Sequence, residues 1–313
     1  MKKPIGFLFP GQGAQFVGMG KDLIEQSPAA RAVYEKADAT LGYSISKICF
    51  EGPETELTRT LYAQTGILVT SLAALAALRE KIPELEPSLV AGLSLGEFTA
   101  LTASGAISFE DALKLVQIRA EAMESAAKNN PGTMASVMGL DVEQCRIVAQ
   151  EAGCEVANLN TPDQTVLSGT LAAIEKACKI AEAKGAKRAM PLKVGGAFHS
   201  SLMSDAKARL EAALAKTSVQ KPRCSFIPNV TAQTVSDPEM IRSLLAKQLT
   251  SSVQWVRTMA VAKESGIATY LEIGPGKVLK GLARKCQPEL EVLCFGGMAD
   301  FKTLEPLALP AKS

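Results

Sequence analysis

Apolar residues in this chain occur in two arrangements: short continuous runs, and longer stretches in which they recur every three or four positions. Short runs are typical of buried strands, and the longer spacing indicates helices that pack one face on a core. Strands are predicted at residues 5–9 and 89–91, and helices at residues 28–39, 63–80, 97–103 and 109–128. Strands and helices that alternate in this way predict an α/β fold with a parallel sheet.

The segment Asn-Asn-Pro-Gly at residues 129–132 interrupts this pattern. After it, strands are predicted at residues 134–140, 155–159, 164–168 and 188–194, and helices at residues 142–152 and 171–184. The order βαββαβ is typical of a ferredoxin-like unit. The earlier pattern then returns, with strands at residues 225–230, 269–273 and 291–295 and helices at residues 253–265 and 277–286. We therefore expect a small ferredoxin-like domain at residues 129–196, inserted into a larger domain formed by residues 1–128 and 197–313.

The composition is that of a globular protein with a sizeable core, since 47% of the 313 residues are hydrophobic and 21% are charged. A net charge of +2 gives no overall attraction to nucleic acid or to a membrane surface. Aromatic residues make up only 5%, which argues against a platform for stacking bases. The most apolar segment, residues 66–78, is shorter than a membrane span and is predicted to be a buried helix. We expect neither nucleic acid nor a membrane as a partner.

The seven cysteines are scattered and form no C-x-x-C pair. Together with a single histidine, this spacing indicates neither a metal site nor a disulfide framework. The apolar run at residues 5–9 is stopped by Pro10 and Gly11, so it is too short for the core of a signal peptide. These observations predict a reducing compartment, the cytoplasm.

The strongest candidate for chemistry is Ser94, in the sequence Gly-Leu-Ser-Leu-Gly at residues 92–96. A G-x-S-x-G run between a strand and a helix is the nucleophile-elbow pattern, in which a tight turn exposes the serine hydroxyl. That hydroxyl needs a base to take its proton, and the only histidine of the chain is His199. Both features also occur without catalysis, but the position of Ser94 at a strand-to-helix junction favours a catalytic Ser94–His199 pair.

Six segments of the chain follow a recognisable order. They are Phe-Pro-Gly-Gln-Gly-Ala-Gln at residues 9–15, Gly-Leu-Ser-Leu-Gly-Glu at 92–97, Gln-Ile-Arg at 117–119, Ala-Phe-His-Ser at 197–200, Val-Gln-Trp at 253–255 and Glu-Ile-Gly-Pro-Gly at 272–276. In content and order they resemble the malonyl-CoA:acyl carrier protein transacylases. The resemblance spans nearly the whole chain. It implies an α/β-hydrolase-like large domain with a ferredoxin-like insertion, in agreement with the pattern of predicted elements.

The resemblance implies a ping-pong transfer that loads malonyl units for fatty acid biosynthesis. Ser94 attacks the thioester of malonyl-CoA while His199 takes its proton. The backbone N–H groups of Gln12 and Leu95 hold the oxyanion. The phosphopantetheine thiol of acyl carrier protein then accepts the malonyl group. Malonyl-CoA is a substrate, and no cofactor or metal is implied.

Three further residues receive roles from the same resemblance. The guanidinium of Arg119 is expected to bind the free carboxylate of malonyl through two parallel hydrogen bonds. The backbone carbonyl of Gln254 is expected to hold the second ring nitrogen of His199. Phe198 is expected to favour malonyl over C2-branched groups, because related polyketide acyltransferases carry a phenylalanine before the histidine when they use malonyl.

A stripe of basic residues at helical spacing follows Gly276. Carrier proteins are acidic, so this stripe is a candidate docking face, although a solvated helix surface has the same pattern. Its members are Lys277, Lys280, Arg284 and Lys285. We expect a monomer, since the proposed site needs no second chain.

Other functions fit part of the sequence. A serine esterase or thioesterase has the same elbow, but its histidine comes late in the chain, whereas more than a third of this chain follows His199. A free-standing acyltransferase of a polyketide synthase uses the same chemistry with another carrier protein. A non-catalytic scaffold would be expected to lack Ser94, His199 or Arg119, and all three are present.

Overall fold

The computed structural model describes residues 4–308, which contain two separate β-sheets. The strands are β1 (Ile5–Phe9), β2 (Leu89–Gly92), β3 (Gly132–Met138), β4 (Glu155–Thr161), β5 (Gln164–Thr170), β6 (Arg188–Pro191), β7 (Ser225–Ile227), β8 (Thr269–Ile273) and β9 (Glu291–Phe295). The helices are α1 (Lys21–Gln26), α2 (Pro28–Leu41), α3 (Ile45–Glu51), α4 (Glu54–Leu57), α5 (Thr60–Lys81), α6 (Gly96–Ala103), α7 (Phe109–Asn129), α8 (Val142–Ala152), α9 (Leu171–Ala183), α10 (Ser204–Leu214), α11 (Pro238–Gln248), α12 (Trp255–Glu264), α13 (Val278–Cys286) and α14 (Phe301–Ala308).

The first sheet is parallel, in the order β7-β2-β1-β8-β9. Its central strand β1 is buried along its whole length. Phe7 and Phe9 point into one hydrophobic core, and Leu8 points into a second core on the opposite face. A strand covered on both faces needs a continuous apolar sequence, which is why residues 5–9 carry no polar side chain.

One helix of the described residues, α5, is long and apolar enough to cross a membrane by length and composition. Of its most apolar window, 83% is buried inside the protein, as expected for a core helix. The prediction of a buried helix at residues 66–78 is confirmed.

The second sheet is antiparallel, in the order β4-β5-β3-β6, and α8 and α9 pack on it through a core of their own. The order of elements along the chain is the predicted βαββαβ. An α/β fold with a parallel sheet and a separate ferredoxin-like sheet is therefore confirmed, whereas the domain boundaries at residues 129 and 196 stay a prediction.

Several elements differ from the sequence prediction. Strand β7 ends at Ile227 instead of residue 230, because Pro228 has no N–H to continue a strand ladder. Strand β6 ends at Pro191 instead of residue 194. The helices α10 and α11 were not predicted. Helix α11 has a clear start signal in Asp237, whose side chain accepts a hydrogen bond from the backbone N–H of Met240.

Candidate active site

Ser94 stands at the turn between β2 and α6, where the sequence predicted a nucleophile elbow. Its φ is +53°, in the left-handed region that few residues other than glycine adopt. A Cβ atom on Gly92 would lie 2.0 Å from the carbonyl carbon of Gly96, and one on Gly96 would lie 2.1 Å from the backbone oxygen of Phe9. Glycine on both sides of Leu93–Leu95 therefore permits the tight turn that presents the serine hydroxyl.

His199 approaches the serine from the loop before α10, and it too has a positive φ, +57°. Its Nε2 lies 2.8 Å from Ser94 Oγ, and its Nδ1 lies 2.9 Å from the backbone oxygen of Gln248. Since a carbonyl oxygen only accepts, Nδ1 carries the proton and Nε2 of the neutral ring accepts from the serine. Burial, and then the positive charge of Arg119, lower the pKa of His199 to about 4. The ring is therefore neutral at physiological pH and available as a base.

The predicted role of Gln254 is wrong. The carbonyl that faces Nδ1 of His199 belongs to Gln248, at the end of α11. The Gln254 carbonyl instead accepts from the backbone N–H of Thr258, as the first hydrogen bond of α12, and its own N–H donates to the Asn229 carbonyl. Gln254 therefore serves as the residue before a helix.

Arg119 lies on α7 with 1% of its surface exposed. Its Nη2 donates to Ser94 Oγ at 2.9 Å and to Oε1 of Gln248 at 3.0 Å, and its Nη1 donates to Oε1 of Gln64 at 2.6 Å. Its Nε has no hydrogen-bond partner among the described residues. Burial lowers the pKa of Arg119 to about 10, while the nearby Glu97 opposes that shift. The guanidinium therefore stays charged at neutral pH.

Two further side chains hold the backbone around the serine. Asn229 accepts from the N–H of Ser94 at 2.6 Å and donates to the carbonyl of Gly92 at 2.7 Å. One carboxylate oxygen of Glu97 accepts from the backbone N–H of Asn229, and the other accepts from Nε2 of Gln248. Burial raises the pKa of Glu97 to about 8, against the effect of these hydrogen bonds and of the positive charge nearby.

No role was predicted for Glu97, Asn229 or Gln248, although two of them have a recognisable signal in the sequence. Glu97 is the one charged residue of α6, a helix that is otherwise apolar or neutral. Asn229 follows β7 at the carboxyl edge of the parallel sheet, where polar site residues of α/β folds gather. Gln248 lies at the end of a helix that was not predicted, so its position could not be inferred.

The two predicted oxyanion donors come from neighbouring strand ends. Gln12 follows β1 and Leu95 follows β2, and these strands pair in parallel with Phe9 opposite Gly92. In the hydrogen bonds of residues 4–308, the backbone N–H groups of Gln12 and Leu95 have no acceptor. The Gln12 side chain accepts from Nε2 of Gln64 at 3.3 Å, which links this loop to Arg119.

A cavity of about 240 Å³ opens onto Ser94 and His199. Its walls come from the antiparallel sheet, from the loops after β1, β2 and β6, and from α5 and α7. They include Gln12, Phe198, Met134, Val166 and Leu192. Arg119 is not among the lining residues; it lies behind Ser94 and Gln64, which do line the cavity.

The predicted basic stripe occupies the exposed face of α13 and the residue before it. All four side chains are exposed: Lys277, Lys280, Arg284 and Lys285. Leu279 and Ala283 form the buried face of the same helix. At its end, Sγ of Cys286 donates to the carbonyl of Asn160, a cavity-lining residue, at 3.3 Å.

Within the described part of the chain, no three histidine, cysteine, aspartate or glutamate side chains are grouped so that they could hold a metal ion. All seven cysteines are free.

The comparisons with known proteins agree on one family. A family model described as the acyl transferase domain matches residues 6–290. The malonyl CoA-acyl carrier protein transacylase of Bacillus subtilis strain 168 is 41% identical, over 96% of this chain and 95% of that protein. The protein of the same name from Haemophilus influenzae is 34% identical, over 97% of this chain and 98% of its own length.

Solved structures agree with these relatives. An acyl-carrier-protein S-malonyltransferase from Burkholderia pseudomallei 1710b superposes with a TM-score of 0.93 at 40% identity, over 99% of this chain and 100% of that chain. A malonyl-transacylase in complex with its type II PKS acyl-carrier protein superposes with a TM-score of 0.92 at 35% identity, over 96% of this chain and 98% of that chain.

Proposed function

We propose a residue-level mechanism for a chain that belongs to the acyl transferase family and, within it, to the malonyl CoA-acyl carrier protein transacylases. The protein is an acyltransferase that moves a malonyl group from malonyl-CoA to acyl carrier protein in fatty acid biosynthesis. One observation carries the assignment of residues: Ser94 Oγ lies 2.8 Å from Nε2 of His199 and 2.9 Å from Nη2 of Arg119. The base and the cation for a carboxylated substrate thus both contact the nucleophilic oxygen.

In the first half-reaction, Ser94 Oγ forms a bond to the thioester carbon while its proton passes to Nε2 of His199. The oxyanion of the tetrahedral intermediate accepts from the N–H groups of Gln12 and Leu95, and one such donor contributes about 3–4 kcal/mol. The intermediate collapses as the carbon–sulfur bond breaks, and the CoA sulfur leaves with the proton held by His199. Malonyl-Ser94 remains.

In the second half-reaction, the phosphopantetheine thiol of acyl carrier protein gives its proton to His199 and attacks the malonyl ester. Collapse of the second intermediate breaks the ester bond and returns the proton to Ser94. No step requires a cofactor or a metal, so malonyl-CoA and the carrier protein are the only reactants.

Arg119 provides the charge for the malonyl carboxylate. In the free protein its Nη2 donates to Ser94 Oγ. Once Ser94 becomes an ester, this oxygen is a weaker acceptor than a hydroxyl, and the guanidinium can exchange that hydrogen bond for one to the carboxylate. Gln64 and Gln248 keep the guanidinium in place during the exchange.

Phe198 shapes the acyl pocket. It is 6% exposed, lines the cavity beside His199 and packs against the hydrophobic core through the remainder of its ring. We infer that its bulk crowds a branch at C2 of the acyl group and so favours malonyl.

The carrier protein is proposed to dock on Lys277, Lys280, Arg284 and Lys285. Their exposure and the contact between α13 and the cavity-lining Asn160 support this face, because an acidic partner bound there has its pantetheine arm near the cavity. We further propose that the enzyme acts as a monomer, since every residue of the mechanism comes from one chain. Its seven free cysteines support a reducing compartment, the cytoplasm.

The mechanism is tested by the intact mass of the protein after brief exposure to malonyl-CoA. The wild type is expected to gain one malonyl group, Ser94→Ala none, and Arg119→Ala far less than the wild type. Ser204→Ala, which removes an exposed hydroxyl outside the cavity, is the control and is expected to load like the wild type.

Acyl carrier protein added to the malonylated enzyme should discharge it. If no adduct forms and no CoA is released, the transferase mechanism is wrong. If CoA is released steadily without carrier protein, the site is a hydrolase.

A further inference from the structure

Glu97 takes no part in the steps above, yet it lies fully buried one turn after the nucleophile. Removing an ionised carboxylate from water is costly unless hydrogen bonds compensate for it. Its two oxygens face two N–H donors, the backbone of Asn229 and the side-chain amide of Gln248. Burial raises the pKa of Glu97 to about 8, yet both of its oxygens face N–H donors, an arrangement that favours the ionised carboxylate, which only accepts.

The amide of Gln248 has a donor end and an acceptor end, and its surroundings determine which end points where. On one side lies the acceptor-only carboxylate of Glu97, and on the other the donor-only guanidinium of Arg119. With Nε2 towards Glu97 and Oε1 towards Arg119, both contacts are hydrogen bonds. With the amide reversed, both would be repulsive.

The same orientation supports the nucleophile. The second hydrogen of Gln248 Nε2 is donated to the backbone oxygen of Ser94 at 2.9 Å. The backbone oxygen of Gln248 holds Nδ1 of His199 at 2.9 Å. One residue thus contacts the nucleophile, the base and Arg119, and Glu97 is one of the groups that fix the orientation of its amide.

We propose that Glu97 is a positioning residue, which orients the Gln248 amide and through it holds Arg119 where the malonyl carboxylate binds. The inference rests on the proposed role of Arg119 as the carboxylate receptor. It predicts that loss of the Glu97 carboxylate reduces selection for a carboxylated acyl group more than it reduces acyl transfer itself.

The test is Glu97→Gln, which keeps the size of the side chain but introduces an NH₂ group. In either orientation of the new amide, its NH₂ group faces another N–H donor, either the backbone of Asn229 or the side chain of Gln248. Acylation rates are measured in single turnovers with malonyl-CoA and with acetyl-CoA, which lacks the carboxylate. The malonyl-to-acetyl ratio of kcat/KM is expected to fall about 10- to 100-fold, the size of effect that a misplacement of roughly 1 Å produces.

Glu272→Gln is the matched control. Glu272 is also a fully buried carboxylate, but its hydrogen bonds go to the backbone N–H groups of Leu279 and Lys280, at the start of α13. Its replacement is expected to lower the melting temperature and to leave the malonyl-to-acetyl ratio within threefold of the wild type. A change of ratio in Glu97→Gln is then not a general consequence of losing a buried carboxylate.

A double-mutant cycle tests the route through Gln248. Gln248→Met removes the amide that Glu97 orients. Adding Glu97→Gln to Gln248→Met should therefore change the malonyl-to-acetyl ratio by less than a further factor of three. If the two effects multiply, Glu97 does not act through Gln248 and the inference is wrong. The inference is also wrong if Glu97→Gln lowers the melting temperature but keeps the wild-type malonyl-to-acetyl ratio, since the role of Glu97 is then purely structural.

Should Glu97→Gln fail to fold, Glu97→Asp replaces it, with Glu272→Asp as its control. The shorter carboxylate still only accepts but cannot reach both donors, so the ratio should fall in Glu97→Asp alone. An equal ratio in both would overturn the inference. Failure of the proposed function has a different signature, because the wild type itself would then form no malonyl-Ser94.

Discussion

The reactivity of Ser94 depends on the protonation of His199, the only histidine in the chain. Burial beside Arg119 lowers its pKa to about 4, while an exposed histidine titrates near 6.5. The unfolded chain therefore takes up this proton near pH 6.5 and the folded protein only near pH 4. It follows that the free energy of unfolding decreases as pH falls through this window, and that the ring remains a free base above it.

We expect NMR of ¹³C-histidine in untagged protein to show one ring that does not titrate between pH 8 and 5. In Arg119→Ala the midpoint should rise towards 6.5, because the second cause of the shift is removed. A wild-type midpoint near 6.5 would show that the ring is solvated and that the buried geometry around it is incorrect.

Arg119→Lys separates charge from geometry. Lysine keeps the positive charge, but its single nitrogen cannot serve Ser94, Gln64 and Gln248 from fixed directions as the guanidinium does. We expect kcat/KM for malonyl-CoA to fall about 10²- to 10³-fold, the range seen when a fixed electrostatic donor is lost. Acylation by acetyl-CoA should change less than tenfold, and an equal loss with both substrates would contradict the role in carboxylate binding.

Whether a functional residue could be predicted depends on the sequence pattern around it. Ser94 is framed by glycines, His199 is unique, and Arg119 lies in a recognisable segment, so the sequence indicated all three. Asn229 and Gln248 hold Ser94 through hydrogen bonds that span more than a hundred residues of chain. No local pattern encodes such contacts, and the carbonyl partner that the resemblance implies for His199, that of Gln254, is not the one observed.

At the level of secondary structure, the elbow depends on the absence of side chains at its two glycines. In Gly96→Ala the new methyl group would meet the backbone oxygen of Phe9, which cannot move without disturbing the end of β1. We expect the free energy of unfolding to fall by about 1–3 kcal/mol, as for other overpacked sites, together with a loss of acylation. Urea unfolding measures the first effect and intact mass the second.

Gly281→Ala is the control, because a Cβ atom there meets nothing within 4 Å and Gly281 lies inside α13. Alanine in a helix interior should stabilise the protein by about 0.5–1 kcal/mol. If Gly96→Ala is as stable as the wild type, the turn has more room than its geometry implies.

The longest helices and the apolar strands could be predicted well, and the shortest helices could not. Helix α7 repeats the apolar spacing over more than five turns, helix α5 is apolar and buried along most of its length, and β8 and β9 have clear apolar sequences with the predicted bounds. Helices such as α1, α3 and α4 span four to seven residues, too few for a period to emerge. They are helical because tertiary packing holds them, and the sequence alone does not carry that information.

At the scale of the molecule, the cavity exists because the antiparallel sheet packs against the carboxyl edge of the parallel one. A bridge between Asn158 of β4 and Val253, before α12, ties the two parts together. Ser94 and His199 line the cavity together with Met134 and Val166 of the antiparallel sheet. The sequence predicted both sheets but not this packing, because the contact joins residues about a hundred positions apart.

The same packing brings α13 close to the cavity, which makes the docking face testable by charge. Reversal of two charges, in Lys280→Glu with Arg284→Glu, should raise KM for acyl carrier protein about 5- to 20-fold through slower association. Acylation by malonyl-CoA, followed in the absence of carrier protein, should change much less. The difference from the wild type should shrink at high salt, because screening weakens exposed charge pairs.

Lys216→Glu is the control, since Lys216 is exposed just after α10 and outside the basic stripe. It changes the net charge in the same direction and is expected to leave KM for the carrier protein unchanged. If it raises KM as much as the double variant does, the carrier protein responds to the overall charge of the enzyme and not to α13. In that case the loaded serine is reached by a route that does not pass the basic stripe.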